Sequence, residues 1–496
     1  MALISRSPTL RFPMPIAEPM RRYLPLLVLP LLILSGCRPD DDPPNAFGAV
    51  PSARQLAWHQ LHYYAFIHFG PNTFTDLEWG HGDERPEVFN PGSFDARQWA
   101  RTFRDAGMEG IIITAKHHDG FALWPSEYST HTVRESAWRD GSGDVLRELS
   151  DACREYGLKF GVYVSPWDRN HPKYGTDEYN DVFKSMLGEV LSDYGDVFEV
   201  WFDGANGEGP NGKKQVYDFP GFADVVRRLQ PQAVIFSDGG PDIRWIGNEN
   251  GYADTTNWST VRAGAFYPGI PDVNDQLQHG HRDGDTWLPG EADVSIRPGW
   301  FYHRAEDDKV KSVAALAEIW FRSVGMNANL LLNIPVDPRG LVHQNDSTRL
   351  MEFREWRDNA FTEDLARGSL VVASNVRAGN QRFDASNLID DDPESYWATD
   401  DGVNNASFDL TLSEPAAVNA ILLQEYIALG QRVDSVTISV ERMGIMTPVA
   451  FGTTIGNRRI VRFPRVETRR VKVELAARAP LVLSNVSLYD IPPTDG

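Results

Sequence analysis

Between residues 65 and 334, short apolar runs alternate with helical stretches, and that rhythm leaves few architectures open to the chain. Residues 65–70 (AFIHFG), 110–116 (GIIITAK), 159–165 (KFGVYVS), 197–203 (VFEVWFD), 233–237 (AVIFS) and 328–334 (ANLLLNI) read as strands. Most are apolar nearly throughout, which marks strands buried on both faces. Helical spacing falls between them, over 95–107, 144–156, 177–194, 222–229 and 307–325. Asp95 caps the first helix, Gln98 completes a capping box, and Gly107 ends it; Gly157 closes the second. Strand–helix–strand repetition means a parallel sheet covered on both faces. About 310 residues with this rhythm suit a TIM-like (β/α) barrel, over 51–362, better than an open sheet. No Gly-x-Gly-x-x-Gly turn follows any of these strands, which counts against a dinucleotide-binding fold.

After about residue 365 the character changes. Residues 371–374 (VVAS), 408–412 (FDLTL), 420–424 (AILLQ), 436–440 (VTISV), 459–463 (RIVRF) and 471–475 (VKVEL) are short strands separated by turns. They predict an all-β sandwich over 366–492. Within it, 383–390 (FDASNLID) and 395–399 (SYWAT) resemble discoidin-like modules. The resemblance implies sugar binding or, in some such modules, a structural calcium ion; a purely structural buttress is an equal reading. No other cofactor is expected.

The N-terminal region reads as a targeting segment. Arg21 and Arg22 precede an apolar run over 23–34, broken by Pro25 and Pro30 and ending in Leu34, Ser35, Gly36 and Cys37. A dozen apolar residues fall short of the roughly 20 that span a bilayer, and the composition is that of a secretory signal, with Met20 a plausible start. The segment resembles a bacterial lipoprotein signal. That resemblance implies removal of residues 1–36, lipidation of Cys37, and an exported protein anchored by lipid to the membrane of the cell envelope. A plain signal with an incidental cysteine is the alternative. Residues 37–50, polar and proline-rich, are expected to form a flexible tether. Cys153 recurs at helical spacing with Val145, Leu149 and Tyr156 and sits among Glu148, Asp151 and Glu155, so it reads as a buried core thiol rather than a nucleophile. A formal net charge of −21 repels polyphosphate and argues against a nucleic-acid partner.

In a barrel of this type the chemistry sits at the C-terminal ends of the strands. The first strand ends in His68; the second runs into Lys116, His117, His118 and Asp119; the third carries Tyr163 and leads into Trp167 and Asp168. The fourth ends in Trp201 and Asp203, and Arg244 and Glu249 follow the fifth. His, Asp, Glu and Trp thus converge on one mouth. Two carboxylates ringed by His and Trp suit glycoside hydrolysis: one attacks the anomeric carbon or activates water, and the other protonates the leaving oxygen. Histidines and an arginine can hold hydroxyls, and an indole can cover the apolar sugar face. A metal site built from His68, His117, His118 and Asp203 is the rival reading. It suffers because adjacent histidines on an extended segment point opposite ways.

Several stretches together closely resemble the α-L-fucosidases of glycoside hydrolase family 29. They are His68–Gly70, Glu78–Gly80, residues 114–126 (TAKHHDGFALWPS), 158–161 (LKFG), 165–170 (SPWDRN), 199–207 (EVWFDGANG) and 244–249 (RWIGNE). The resemblance covers about 58–335 and implies a retaining mechanism, with Asp203 matching the nucleophile and Glu249 the acid/base. Glu208 and Glu291 are the fallback acids. His68, Glu78, His117, His118, Trp124 and Tyr163 match positions that cradle fucose, and Trp79, Trp167, Asp168, Trp201 and Arg244 complete the expected binding set. Residues 167–170 and 207–212 (GEGPNG) look like the subgroup that prefers α-1,3/1,4-linked, Lewis-type fucose, so the expected partners are fucosylated oligosaccharides or glycoconjugates. The alternatives are a broad-specificity α-L-fucosidase, a barrel glycosidase for another sugar such as galactose, and a non-catalytic glycan-binding lipoprotein.

Overall fold

In the computed structural model, residues 42–494 are described. The signal expected over 1–36 and the lipidation expected at Cys37 lie outside the described residues.

Eight parallel strands close into a barrel in sequential order: β1 Tyr63–Ile67, β2 Gly110–Lys116, β3 Lys159–Val164, β4 Val197–Trp201, β5 Val234–Ser237, β6 Ile243–Trp245, β7 Gly290–Ser295 and β8 Ala328–Asn333. The expected α/β barrel is therefore present. Two of its strands, β6 and β7, carry no apolar run. β6 has three residues, and β7 (GEADVS) alternates acidic with small side chains. Helices Ala96–Asp105, Val145–Tyr156, Asp177–Asp193, Phe219–Leu229, Val313–Arg322 and Gln344–Phe361 surround the barrel. Asp95 caps the first, accepting from the amides of Arg97 and Gln98. The Gln98 side chain does not complete a capping box. Its amide instead exchanges hydrogen bonds with the Val342 backbone, tying the helix to the chain after β8. Asp144 caps the second helix, and Gly157, at φ 72°, ends it in the left-handed region that glycine tolerates best. Cys153 is a buried free thiol on that helix.

The barrel bore is filled rather than open, by Tyr64, Phe66, Ile112, Tyr163, Trp201, Val234, Phe236 and Leu331. Short helix Ala53–His59 supplies Trp58 to the same cluster. No helix lies between β5 and β6, and β6 and β7 are joined by a long segment that carries the short helix Asn274–His279. That segment contains a two-stranded ribbon, Thr260–Val261 with Thr286–Trp287.

The C-terminal part is all-β. Its seven strands form one antiparallel sheet, in which the longest two, Asn405–Glu425 and Arg459–Ala477, pair along their length through two register shifts. Its core, with Trp397, Phe408, Ile421, Val436, Val471 and Leu483, is separate from that of the barrel. The tether expectation is corrected where it can be seen. Residues 42–50 lie along the sheet domain: Phe47 N donates to Leu429 O at 3.0 Å, and Arg432 donates to Asn45 O at 2.7 Å. The Arg478 guanidinium lies 5.1 Å from the Phe47 ring centroid. Buried arginines satisfying backbone carbonyls hold this stretch in place despite its proline-rich composition.

Candidate active site

Asp203 lies just past the end of β4. Its Oδ2 accepts from Tyr163 OH at 2.9 Å and its Oδ1 from the Ala205 amide at 2.7 Å. His118 Nε2 stands 3.8 Å from Oδ2. The carboxylate is thus oriented on both oxygens by groups from β3 and from its own turn. On the other side of the mouth, Glu249 Oε2 accepts from Trp300 Nε1 at 3.2 Å. Burial raises the Glu249 pKa; the Trp300 hydrogen bond opposes this, and the charges of Asp203 and Glu78 add to it. Glu249 therefore sits within electrostatic reach of Asp203 and is biased toward its protonated form.

Aromatic rings link the two acids around one mouth. His68 lies 5.2 Å from Trp300, 5.5 Å from His117 and 6.2 Å from Tyr163, between centroids. His68 Nδ1 pairs with Asn333 Oδ1 at 2.8 Å, and His118 Nδ1 with Ser165 Oγ at 2.8 Å. Burial pushes the pKa of His68 down to about 3 and that of His118 to about 4, and holds His117 well below its usual value. All three rings are neutral near pH 7, so they serve as hydrogen-bonding groups and not as cations. The adjacent histidines do not diverge. β2 ends at Lys116, with a register shift just before it, and the chain then turns, which leaves the His117 and His118 rings 4.2 Å apart. Even so, among the described residues no group of three His, Cys, Asp or Glu side chains could hold a metal ion.

The other expected residues divide. Trp201 lies deeper, stacked on Phe236 at 3.8 Å and tilted against Tyr163, with its Nε1 donating to Glu291 Oε1 at 2.9 Å. Trp79, 58% exposed, and Trp167 meet at 5.9 Å beside His118 and form a rim. Glu78 acts mainly on the chain: it accepts from the Trp300 and Phe301 amides and pairs with His303 Nε2 at 2.5 Å. Three expectations are corrected. Trp124 is buried in the outer core and donates to Glu189 at 2.9 Å, on helix Asp177–Asp193. Asp168 is buried against Lys116 Nζ at 3.2 Å and accepts from the Asn170 and His171 amides. Arg244 is fully buried, donating to Leu277 O, Leu288 O and Asn257 Oδ1, so it braces the segment between β6 and β7. Of the fallback acids, Glu291 is sealed in the bore with Tyr64 and Trp201. Glu208 lies in the 207–212 stretch, where its backbone carbonyl accepts from Trp167.

Trp300 and Asn333 were not expected. Both follow the strand-end rule: Asn333 closes β8, and Trp300 lies in the loop after β7. Without β7 as a strand, nothing marks Trp300 in the sequence.

The family model described as alpha-L-fucosidase matches residues 51–360. The chain is 41% identical to Alpha-L-fucosidase 1 of Arabidopsis thaliana over 446 residues, covering 89% of this chain and 87% of that one. Among solved structures, a glycoside hydrolase 29 family member from an unknown rumen bacterium is 38% identical with a TM-score of 0.80, covering 91% of this chain and 78% of that one. A GH29 fucosidase of Ruminococcus gnavus, solved in complex with fucose, is 31% identical with a TM-score of 0.84, covering 92% and 98%.

Proposed function

The chain belongs to the alpha-L-fucosidase family, glycoside hydrolase family 29, and from that premise we propose that it is a retaining exo-α-L-fucosidase acting by double displacement. The observation that carries the reading is the pairing of two acids held in different surroundings at one mouth. Asp203 is fixed by Tyr163 and the Ala205 amide, and the Glu249 pKa is raised by burial and by the charge of Asp203. Opposed environments of this kind separate a nucleophile from an acid. Asp203 attacks the anomeric carbon and displaces the aglycone, whose oxygen takes the proton of Glu249. The resulting fucosyl ester is then opened by water, which gives a proton back to Glu249. His68, His117, His118 and Trp300 shape the fucose pocket, and Trp201 supports its floor.

The Trp79–Trp167 rim, beside the segments at 167–170 and 207–212, supports preference for α-1,3/1,4-linked fucose on branched glycans, because an exposed indole face can receive the second sugar. The C-terminal module, discoidin-like in its motifs, buttresses the barrel, and lipidation at Cys37 anchors the exported protein to the bacterial envelope.

The test is product analysis on fucosylated oligosaccharides of defined linkage, with the first-formed anomer read by NMR. The reading requires α-L-fucose as the first product, and first-formed β-L-fucose refutes retention. Asp203→Ala is expected to lose several orders of magnitude in kcat. Glu249→Ala is expected to be rescued by azide with formation of a fucosyl azide, and absence of rescue would move the acid role elsewhere.

A further inference from the structure

The segment between β6 and β7 does more than join the two strands. Residues 262–272 leave the two-stranded ribbon, where Arg262 pairs with Asp283 and the Ala263 amide donates to Asp285 Oδ1 at 2.7 Å. They then cross the turns that follow β4 and β5. The contact there is backbone on backbone. A Cβ on Gly204 would fall 2.6 Å from Gly269 N, one on Gly269 would fall 2.7 Å from Gly204 O, and one on Gly239 would fall 2.5 Å from Tyr267 Cα. Gly269 is also at φ +76°, where a side chain is strained. Three glycines therefore let this strap lie flush on the chain beside the nucleophile. One side chain fastens it: Asp238, the residue after β5, whose Oδ2 accepts from the Gly269 amide at 2.6 Å. The Ser237 hydroxyl fixes the turn that presents Asp238, donating to Gly240 O at 2.6 Å.

Gly204 lies between Asp203 and Ala205, the residue whose amide orients the Asp203 carboxylate. We propose that Asp238 is a positioning residue for Asp203: by fastening the 262–272 strap onto Gly204, it fixes the peptide that aims the nucleophile. The inference rests on Asp203 being the nucleophile. The hydrogen bond of Asp238 goes to Gly269 and not to Asp203 or Glu249. Its carboxyl is half-buried, with its pKa pushed up to about 6 first by desolvation and further by the charge of Asp203, while the Gly269 hydrogen bond opposes the shift. An acid is tolerated in that position because it holds the strap.

The test measures kcat and KM separately on a Lewis-type fucosylated oligosaccharide, by release of free fucose, alongside thermal unfolding. Asp238→Ala removes the acceptor and is expected to lower kcat about 10- to 100-fold, with KM within about threefold, as a small misplacement of a reacting group does. Asp238→Asn keeps an acceptor for the Gly269 amide and is expected to recover most of that kcat. Gly269→Ala pushes the strap off Gly204 from the other side, outside the barrel core, and is expected to reproduce the kcat loss; it decides the matter if Asp238→Ala does not fold. A folded Asp238→Ala or Gly269→Ala with kcat within threefold of the parent overturns the inference. So does an Asn variant as impaired as the Ala variant, or a loss that appears only in KM. Asp203→Ala is run in parallel. If it stays active, the nucleophile reading fails; if it is inactive while the strap variants are normal, only the strap inference fails.

Discussion

With Glu249 as the proposed acid, Trp300 is expected to tune the working pH. A general acid works only while protonated, so the basic limb of kcat/KM follows the Glu249 pKa. The Trp300 indole donates to Glu249 and stabilises the carboxylate, which lowers that pKa. Trp300→Phe removes the donor, the pKa rises, and the basic limb is expected to move to higher pH. Glu78 acts with the opposite sign, because its charge raises the Glu249 pKa. Glu78→Gln removes the charge, and the limb is expected to move to lower pH. A pH–rate profile of each variant checks both signs, and shifts in one common direction would contradict the assignment. The histidines are not expected to supply that limb, since burial holds His68 down to about 3, His118 to about 4 and His117 well below its usual value. At this scale the sequence was most legible where a residue ends a strand of evident apolar character, as His68, Tyr163 and Asp203 do. It failed for Arg244, because in a strand as short as β6 one step of register decides whether a side chain faces the bore or the surrounding segment.

The turn after β2 shows why an element can need a residue that takes no part in the chemistry. His117 and His118 are brought together by a chain reversal whose base is a buried ion pair, Lys116 with Asp168, almost fully out of water. Lys116 Nζ also reaches Trp167 O and Tyr179 OH, each at 3.4 Å, so one ammonium joins β2, the loop after β3 and helix Asp177–Asp193. Burying both charges costs desolvation that their attraction and these hydrogen bonds offset, but removing one partner leaves the other buried alone. Lys116→Met is expected to destabilise the protein by about 3–5 kcal/mol in chemical denaturation. Lys116→Met with Asp168→Asn should recover part of that loss, and a double variant as unstable as the sum of both singles would show that the two groups do not interact. The motif at 114–126 drew attention in the sequence, yet it mixes two kinds of residue. His117 and His118 face the pocket, while Lys116 and Trp124 support the turn from behind. Local spacing does not separate them, because the separation depends on where β2 stops and on partners such as Glu189 and Asp168, far along the chain.

The closed barrel was legible at the scale of the molecule because parallel strands buried on both faces leave a continuous apolar record. The joint between barrel and C-terminal sheet was not, because much of its polar part is built from amides. Asn457 donates to His59 O at 3.1 Å, and its own amide donates to Asn327 Oδ1 at 2.8 Å. Gln431 accepts from the Ser259 amide at 2.7 Å and donates to Asn257 O at 3.1 Å. Asparagines and glutamines read as surface or turn residues in a sequence, yet these four are buried at less than 9% exposure. His59 and Asn327 precede β1 and β8, so the sheet grips the N-terminal end of the barrel, while the candidate site opens at the other end. The joint should therefore govern stability without touching chemistry. Asn457→Leu keeps the bulk but leaves the His59 carbonyl without its donor, and each buried polar group left unpaired costs about 1–3 kcal/mol. The expected result is a melting temperature lowered by several degrees in a single transition. The pH profile and the KM on an aryl α-L-fucoside should match those of the parent, because no residue of the joint approaches Asp203 or Glu249. A variant that keeps its stability but changes its pH profile would mean that the two ends of the barrel are coupled through the bore, along Trp58, Tyr64, Glu291 and Trp201.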